Sequence, residues 1–77
     1  MRGLQAITKE IRKDWKSPYI GATPCLMTMS NIYSGNLNTE YMGVSGKEAV
    51  TEFLANADSW EGEVATKIKE ELAKMLG

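Results

Sequence analysis

The most constraining feature of the sequence is an apolar stripe at helical spacing near its C-terminal end. Apolar residues recur every three or four positions there, at Trp60, Val64, Ile68, Leu72, Met75 and Leu76. Residues three and four apart share one face of an α-helix, so the stripe predicts an amphipathic helix from Trp60 to Leu76. Asp58 or Ser59 is the expected N-cap of this helix.

The N-terminal segment, residues 4–16, has a second apolar face and a basic flank. The residues that share the apolar face are Leu4, Ile7, Ile11 and Trp15. The basic residues that gather on a neighbouring arc are Arg2, Lys9, Arg12, Lys13 and Lys16. Such an arc is typical either of a solvated helix face or of a surface that contacts phosphates or an acidic protein. Pro18 disfavours helical geometry at Ser17 and ends this helix, and Gly21 adds a flexible turn position, so we predict a turn over residues 17–21.

Residues 24–33 are predicted to form a second helix that begins at a Thr-Pro pair. Thr23 is a good N-cap, and Pro24 suits the first helical position because its missing N–H is not needed there. The apolar face of this helix contains Cys25, Leu26, Met29, Ile32 and Tyr33. We interpret Cys25 as a small core residue, since the chain has no histidine to activate it as a nucleophile. Met27 points away from this face, and either the following loop covers it or it is available to a partner.

A loop and a third helix connect these segments to the C-terminal stripe. Residues 34–44 show no sustained period and no strand signal, so we predict an irregular loop that folds back in part onto the core. Ser45 and Glu48 form a capping box that begins a helix over about residues 46–56. The prediction is a single all-α domain, residues 1–77: a compact bundle of four short helices with an irregular loop between helices two and three. The large residues expected in its core are Trp15, Phe53 and Trp60.

Composition restricts the chemistry that this chain can perform. The chain has 77 residues, no histidine and one cysteine. It therefore lacks the commonest acid–base group and zinc ligand, and it cannot form an intramolecular disulfide. It has no glycine-rich phosphate loop and no calcium-ligand spacing. We predict a protein without catalytic residues, metal or cofactor. Because no apolar run reaches membrane-spanning length and no secretory signal is visible, we expect a cytoplasmic protein without a membrane partner.

Two segments have a recognisable pattern. Trp15–Thr28 contains W-x-x-P-Y-x-G-A-x-P, and Phe53–Leu72 contains F-L-x-N-A-x-x-W-x-G-x-x-A-x-x-I-K. These segments cover about half of the chain and resemble short open reading frames of bacteriophages and prophages. The resemblance implies a small phage-type accessory protein of the bacterial cytoplasm that binds a host or phage macromolecule. It transfers no active site.

Two functions remain open after these exclusions. We favour a non-enzymatic interaction protein that binds a protein partner or a second copy of itself through Met27, Tyr41 and Met42. The alternative is an accessory nucleic-acid-binding protein that uses the basic residues of helix one, which are Lys9, Arg12, Lys13 and Lys16. Residues 17–77 carry four lysines against eight acidic residues, a balance that disfavours a long polyanion as the partner.

Overall fold

The computed structural model describes residues 2–77 and shows a mostly helical domain. Its four α-helices are α1 (Leu4–Asp14), α2 (Thr23–Ser30), α3 (Gly46–Ala55) and α4 (Glu63–Leu76). A 3-10 turn, Ile20–Ala22, runs directly into α2. Two short strands, β1 (Glu40–Tyr41) and β2 (Val44–Ser45), form an antiparallel hairpin before α3. The all-α prediction is thus confirmed in part: the fold is mostly helical, and it also contains this small sheet.

Three aromatic rings meet inside one apolar core. The indoles of Trp15 and Trp60 stack with ring centroids 5.6 Å apart and planes inclined by 7°. Phe53 meets both indoles edge-on, at 6.2 Å from Trp15 and 6.1 Å from Trp60. Each such pair adds about 0.5–1.5 kcal/mol beyond the burial of its apolar area. The prediction that these three residues occupy the core is confirmed.

The helix α1 is shorter than predicted, and Trp15 determines its end. The helix stops at Asp14, and Trp15 takes an extended conformation with φ −95° and ψ 94°. This bend lets the indole reach Trp60, and Pro18 disfavours any helical continuation behind it. At the other end, the N–H of Leu4 donates to the Ser34 carbonyl at 3.2 Å. The amides left free at the start of α1 are thus bonded to the segment that follows α2.

The helix α2 begins one residue earlier than predicted, and Thr23 lies inside it instead of capping it. The 3-10 turn before the helix already supplies hydrogen-bond acceptors, because the N–H of Thr23 bonds to the carbonyl of Ile20. A side-chain cap is therefore not needed at this end, and none is formed. The turn and α2 together make one continuous helical segment, residues 20–30.

The predicted second helix extended to residue 33, but α2 ends at Ser30. The side-chain amide of Asn31 donates to the Met27 carbonyl at 2.9 Å, which satisfies an acceptor that the helix end leaves free. The chain then turns away from the helix axis. Ile32 remains buried, whereas Tyr33 is 74% exposed. The prediction that Tyr33 belongs to the apolar face of this helix is therefore wrong.

The segment predicted as an irregular loop contains the β-hairpin. Glu40 pairs with Ser45 and Tyr41 with Val44. The prediction that no strand is present is wrong, because strands of two residues are too short to show an alternating pattern in the sequence. The expected packing of this segment is found in part: Leu37, Tyr41 and Val44 are partly buried against the core.

The hairpin leads directly into α3 through the predicted cap. The hydroxyl of Ser45 accepts a hydrogen bond from the N–H of Glu48 at 3.1 Å. Ser45 has the extended backbone of an N-cap residue, with φ −77° and ψ 156°. The predicted N-terminus of the third helix is confirmed.

Met42 occupies an unfavourable backbone conformation at the hairpin tip. It has φ +54°, followed by Gly43 with φ +80°, as in the two-residue turns that favour Asn-Gly. A left-handed conformation costs an ordinary residue about 1–2 kcal/mol, and asparagine less. We expect Met42→Asn to raise the free energy of unfolding by about 0.5–1 kcal/mol in urea denaturation. Met42→Ala keeps a Cβ at the same φ and should stay within about 0.5 kcal/mol of wild type. Equal urea-denaturation midpoints for the wild type, Met42→Asn and Met42→Ala would contradict the left-handed conformation of Met42.

The helix α4 begins at Glu63, three residues after the predicted start. Gly62 precedes it with φ +117°, a conformation that favours glycine, and neither Asp58 nor Ser59 caps the helix. Trp60 is therefore outside the helix, although it is buried as predicted.

The hydrogen bonds of Trp60 explain the late start of α4. Its indole N–H donates to a carboxylate oxygen of Asp14 at 2.8 Å, and its carbonyl accepts from the Lys69 ammonium at 2.7 Å. A helical Trp60 would instead bond its carbonyl to the N–H of Val64. The buried face of α4 changes accordingly: Ala65 is buried and Val64 is 38% exposed.

Candidate interaction surface

The outer side of α2 carries a row of exposed residues. They follow one another at helical spacing along the 3-10 turn and α2, and they are Ile20, Thr23, Pro24, Met27 and Asn31. Ile20 is 81% exposed and Met27 is 58% exposed. We call this row the α2 face. The prediction that Met27 points away from the core is confirmed.

The α2 face lies between two helices that run in the opposite direction to α2. Near the end of α2, the N–H of Gln5 at the start of α1 donates to the Ile32 carbonyl at 2.8 Å. The start of α3 lies at this same end, because a Cβ at Gly46 would come within 3.1 Å of the side chain of Leu4 at the start of α1. The other end of α3 returns to the start of α2, where Asn56 lies beside Gly21.

The α2 face is part of a long uncharged segment. Residues 17–39 contain no Asp, Glu, Lys or Arg, so every charged residue of the chain lies before or after this segment. The sequence reasoning identified Met27 but missed Ile20, which it took for part of a turn. The charge-free run was the signal that could have identified Ile20, because an exposed apolar residue in this run has no charged neighbour in the sequence.

The side of α2 next to α3 is bordered by acidic residues. Glu52 lines a small depression together with Pro24, Cys25 and Thr28 of α2. Glu48 lies one turn before Glu52 on the same side of α3, and both carboxylates are exposed. Asp58 follows α3 and lines a second depression with Tyr19, beside the start of α2. We call Glu48, Glu52 and Asp58 the acidic edge.

The other side of α2 is bordered by α1 and its basic residues. The exposed cations are Lys9, Arg12, Lys13 and Lys16, which we call the basic arc. Within residues 2–77, none of the four forms an ion pair. α1 packs on both α2 and α4. Glu10, Lys13 and Asp14 of α1 line a depression with Val64 of α4, so this flank faces α4. Arg12 is on the opposite flank of α1, next to α2. Apart from Lys13, the basic arc and the acidic edge thus lie on opposite sides of the α2 face.

Arg2 does not belong to the basic arc, contrary to the sequence interpretation. It forms ion pairs with Glu10 of α1 and Glu71 of α4, and its Nε donates to Glu71 at 3.1 Å. The hydrogen bond from Arg2 lowers the pKa of Glu71. This contribution to stability is present above the ordinary pKa of a glutamate and is lost as the pH falls. It stays below about 1 kcal/mol because both side chains are well solvated.

The other two predicted surface residues lie outside the α2 face. Met42 is 84% exposed at the hairpin tip, whereas Tyr41 is only half-exposed because it packs against the core. Tyr41 therefore offers less surface to a partner than the sequence suggested. The two residues are neighbours on a separate protrusion.

Cys25 is a core residue, as the sequence indicated. It is 8% exposed, and its Sγ lies 3.9 Å from the Gly21 carbonyl. Burial raises the pKa of this thiol, and the nearby Glu52 carboxylate raises it further. Such a thiol stays protonated and unreactive at neutral pH.

We expect Cys25→Ser to fold and to keep its binding activity. Its free energy of unfolding should fall by about 1–2 kcal/mol, because a hydroxyl replaces a buried thiol. Urea denaturation and a binding assay on the same sample measure both quantities. A folded Cys25→Ser protein without binding activity would contradict the structural role.

Two further properties concern the whole described chain. Among residues 2–77, no three Cys, Asp or Glu side chains converge in a way that could hold a metal ion. None of the helices in this range combines the length and the apolar character that crossing a bilayer requires.

Comparison with models of protein families, with curated proteins and with solved structures finds no match.

Proposed function

We propose that this domain is a non-enzymatic accessory protein that binds another protein through the α2 face. The observation that carries the proposal is the exposure of Ile20 and Met27 on a row without charged residues. Burying a large apolar side chain contributes about 1.5–3 kcal/mol, so these two residues can supply much of a binding energy. Pro24 between them adds an apolar surface with little conformational freedom to lose.

The proposal includes a phage-type role in the bacterial cytoplasm. Its support is the resemblance of Trp15–Thr28 and Phe53–Leu72 to small phage and prophage proteins. The first of these segments contains Ile20, Pro24 and Met27, so the surface proposed to bind is within the resembling part of the chain.

A pull-down with a matched control tests the α2 face. The bait is the tagged protein, the test variant is Ile20→Lys with Met27→Lys, and the control is Val64→Lys. Val64 is also an exposed apolar residue, but it lies on α4 beside Glu10 and Asp14. Lysate of bacteria that also produce an untagged copy of this chain is used with and without nuclease, and the melting temperature of each bait is measured first.

We expect wild type and the Val64→Lys control to retain the same protein after nuclease treatment. The Ile20→Lys, Met27→Lys variant should melt within a few degrees of wild type and lose that protein. Retention of that protein by all three baits would show that the α2 face is not the binding surface. Capture that disappears with nuclease would favour the alternative function.

The alternative is an accessory nucleic-acid-binding protein, and the observation that favours it is the basic arc. Its cations, Lys9, Arg12, Lys13 and Lys16, are exposed on one side of α1 without an ion pair inside residues 2–77. Phosphate contacts would make the affinity fall steeply with salt, whereas the apolar contacts of Ile20 and Met27 would change little.

Neutralising the basic arc separates the two functions. We expect replacement of Lys9, Arg12, Lys13 and Lys16 by Gln to change the free energy of unfolding of the isolated chain by less than about 1 kcal/mol, because the four charges are solvated there. Anisotropy with labelled single-stranded and duplex DNA at low salt should show no binding by this variant. Binding by the wild type that is lost in the variant and at high salt would support the alternative. No binding by either protein would remove nucleic acid as a partner.

A further inference from the structure

We propose that the protein that binds the α2 face is a second copy of this chain, docked with the two α2 helices parallel. The inference rests on the proposed function and names its partner. It comes from the placement of the charges: an uncharged row with Lys9, Arg12 and Lys16 of the basic arc along one side and the acidic edge along the other. This surface is complementary to itself in one orientation only.

The symmetry of a homodimer decides which orientation is complementary. A two-fold axis that relates two facing surfaces must lie in the plane of the interface. An axis along α2 keeps the helices parallel and exchanges the two sides, so each basic arc faces the acidic edge of the other copy. An axis across α2 makes the helices antiparallel and places basic arc on basic arc. Charge complementarity therefore selects the parallel arrangement.

The order of the charges along α2 also agrees with the parallel arrangement. Both α1 and α3 run opposite to α2, so the sequence order along the two sides is the same. Starting at Ile20, the basic side presents Lys16, Arg12 and Lys9. The acidic side presents, in the same order, Asp58, Glu52 and Glu48. The pairs that would form between copies are Lys16 with Asp58, Arg12 with Glu52 and Lys9 with Glu48.

The size of the domain requires both flanks to take part. A specific dimer usually buries about 800 Å² on each partner. The accessible surface of this chain is 4717 Å², and its extents are 29 × 24 × 19 Å, so such an interface occupies most of one side. The α2 face supplies the apolar centre and the two charged flanks supply the rim. We expect a dissociation constant in about the micromolar range, since an interface on so small a domain stays near the lower end for specific pairs.

Charge reversal with rescue tests the arrangement. The variants are Arg12→Glu, Glu52→Arg and the combination of both, measured by sedimentation equilibrium at low salt. Each single reversal places like charges opposite each other twice in the dimer and should weaken association about tenfold or more. The combined variant restores both pairs with reversed sign and should associate like wild type. An equimolar mixture of the two single variants should also associate, because the introduced glutamate of one copy then faces the introduced arginine of the other.

Several outcomes overturn the proposal. A wild-type protein that stays monomeric up to the highest soluble concentration would do so. Tighter association of Arg12→Glu would indicate the antiparallel arrangement, and failure of the combined variant to recover would exclude the Arg12–Glu52 pair. A monomeric wild type that still retains another protein through Ile20 and Met27 would overturn the self-association alone. A wild type that neither self-associates nor retains another protein would overturn the proposed function as well.

Discussion

Trp60→Ala is expected to unfold the domain or leave it close to unfolding at room temperature. Trp60 is 2% exposed, stacks on Trp15 and meets Phe53 edge-on. Truncating a buried large aromatic side chain costs about 3–5 kcal/mol. A domain of this size has a total stability of about 4–12 kcal/mol, at roughly 0.05–0.15 kcal/mol per residue, and its small core places it near the lower end. The variant should therefore lose most of its stability, measured by urea denaturation followed by far-UV circular dichroism.

Two further variants separate the contribution of the Trp60 ring from that of its hydrogen bond and provide a control. Trp60→Phe keeps an aromatic ring but removes the N–H that bonds to Asp14. We expect it to lower the free energy of unfolding, but by less than Trp60→Ala does. Val64→Ala truncates a partly exposed neighbour in the sequence and should cost less than about 1 kcal/mol. A cooperative melt of Trp60→Ala within a few degrees of wild type would contradict the central place of Trp60 in the core.

Gly3→Ala is expected to have the second largest effect on stability. A Cβ at Gly3 would collide with the carbonyl oxygen of Tyr33 and approach the Ser34 nitrogen to 3.3 Å. These are main-chain atoms in the segment that bonds to Leu4 and Gln5, so the collision cannot be relieved by a rotamer change. Gly3 has φ −72° and ψ 155°, which any residue adopts, so the cost comes from the lack of space alone.

We expect Gly3→Ala to lower the free energy of unfolding by about 2–3 kcal/mol, the upper part of the usual range for overpacking, because the neighbouring atoms are rigid. Gly43→Ala is the matched control, because a Cβ at the hairpin tip meets nothing within 4 Å. Its left-handed φ should cost about 1 kcal/mol. A Gly3→Ala protein as stable as wild type would contradict the close packing of the start of α1 on the segment after α2.

The sequence predicted those parts of the fold that depend on local pattern. The apolar face of α1, the capping of α3 by Ser45 and the burial of Trp60 follow from spacing and from cap chemistry. The start of α4 does not, because it depends on the hydrogen bond between Trp60 and Asp14, which are 46 residues apart. No local pattern contains that information.

The surface was predictable to a similar extent. Helical phase alone placed Met27 on the outside of α2, and exposure of the basic arc followed from the apolar face of α1. Ile20 was missed because a Pro-Tyr-Ile-Gly stretch reads as a turn, whereas the chain forms a 3-10 turn continuous with α2. Arg2 was grouped with the basic arc because its partner, Glu71, is 69 residues away. The opposite placement of basic arc and acidic edge depends on the order in which the helices pack.

Site-specific photo-crosslinking shows whether the α2 face binds a second copy of this chain. A photo-crosslinking amino acid replaces Met27 in one protein, Ile20 in a second and Lys67, which is exposed on α4, in a third. After irradiation in bacterial cells that produce each protein, the covalent products are separated and identified by mass spectrometry. We expect a defined protein adduct from positions 20 and 27 and none from position 67, and this adduct is a second copy of this chain. The absence of any adduct at positions 20 and 27, or the same adduct at all three positions, would contradict it.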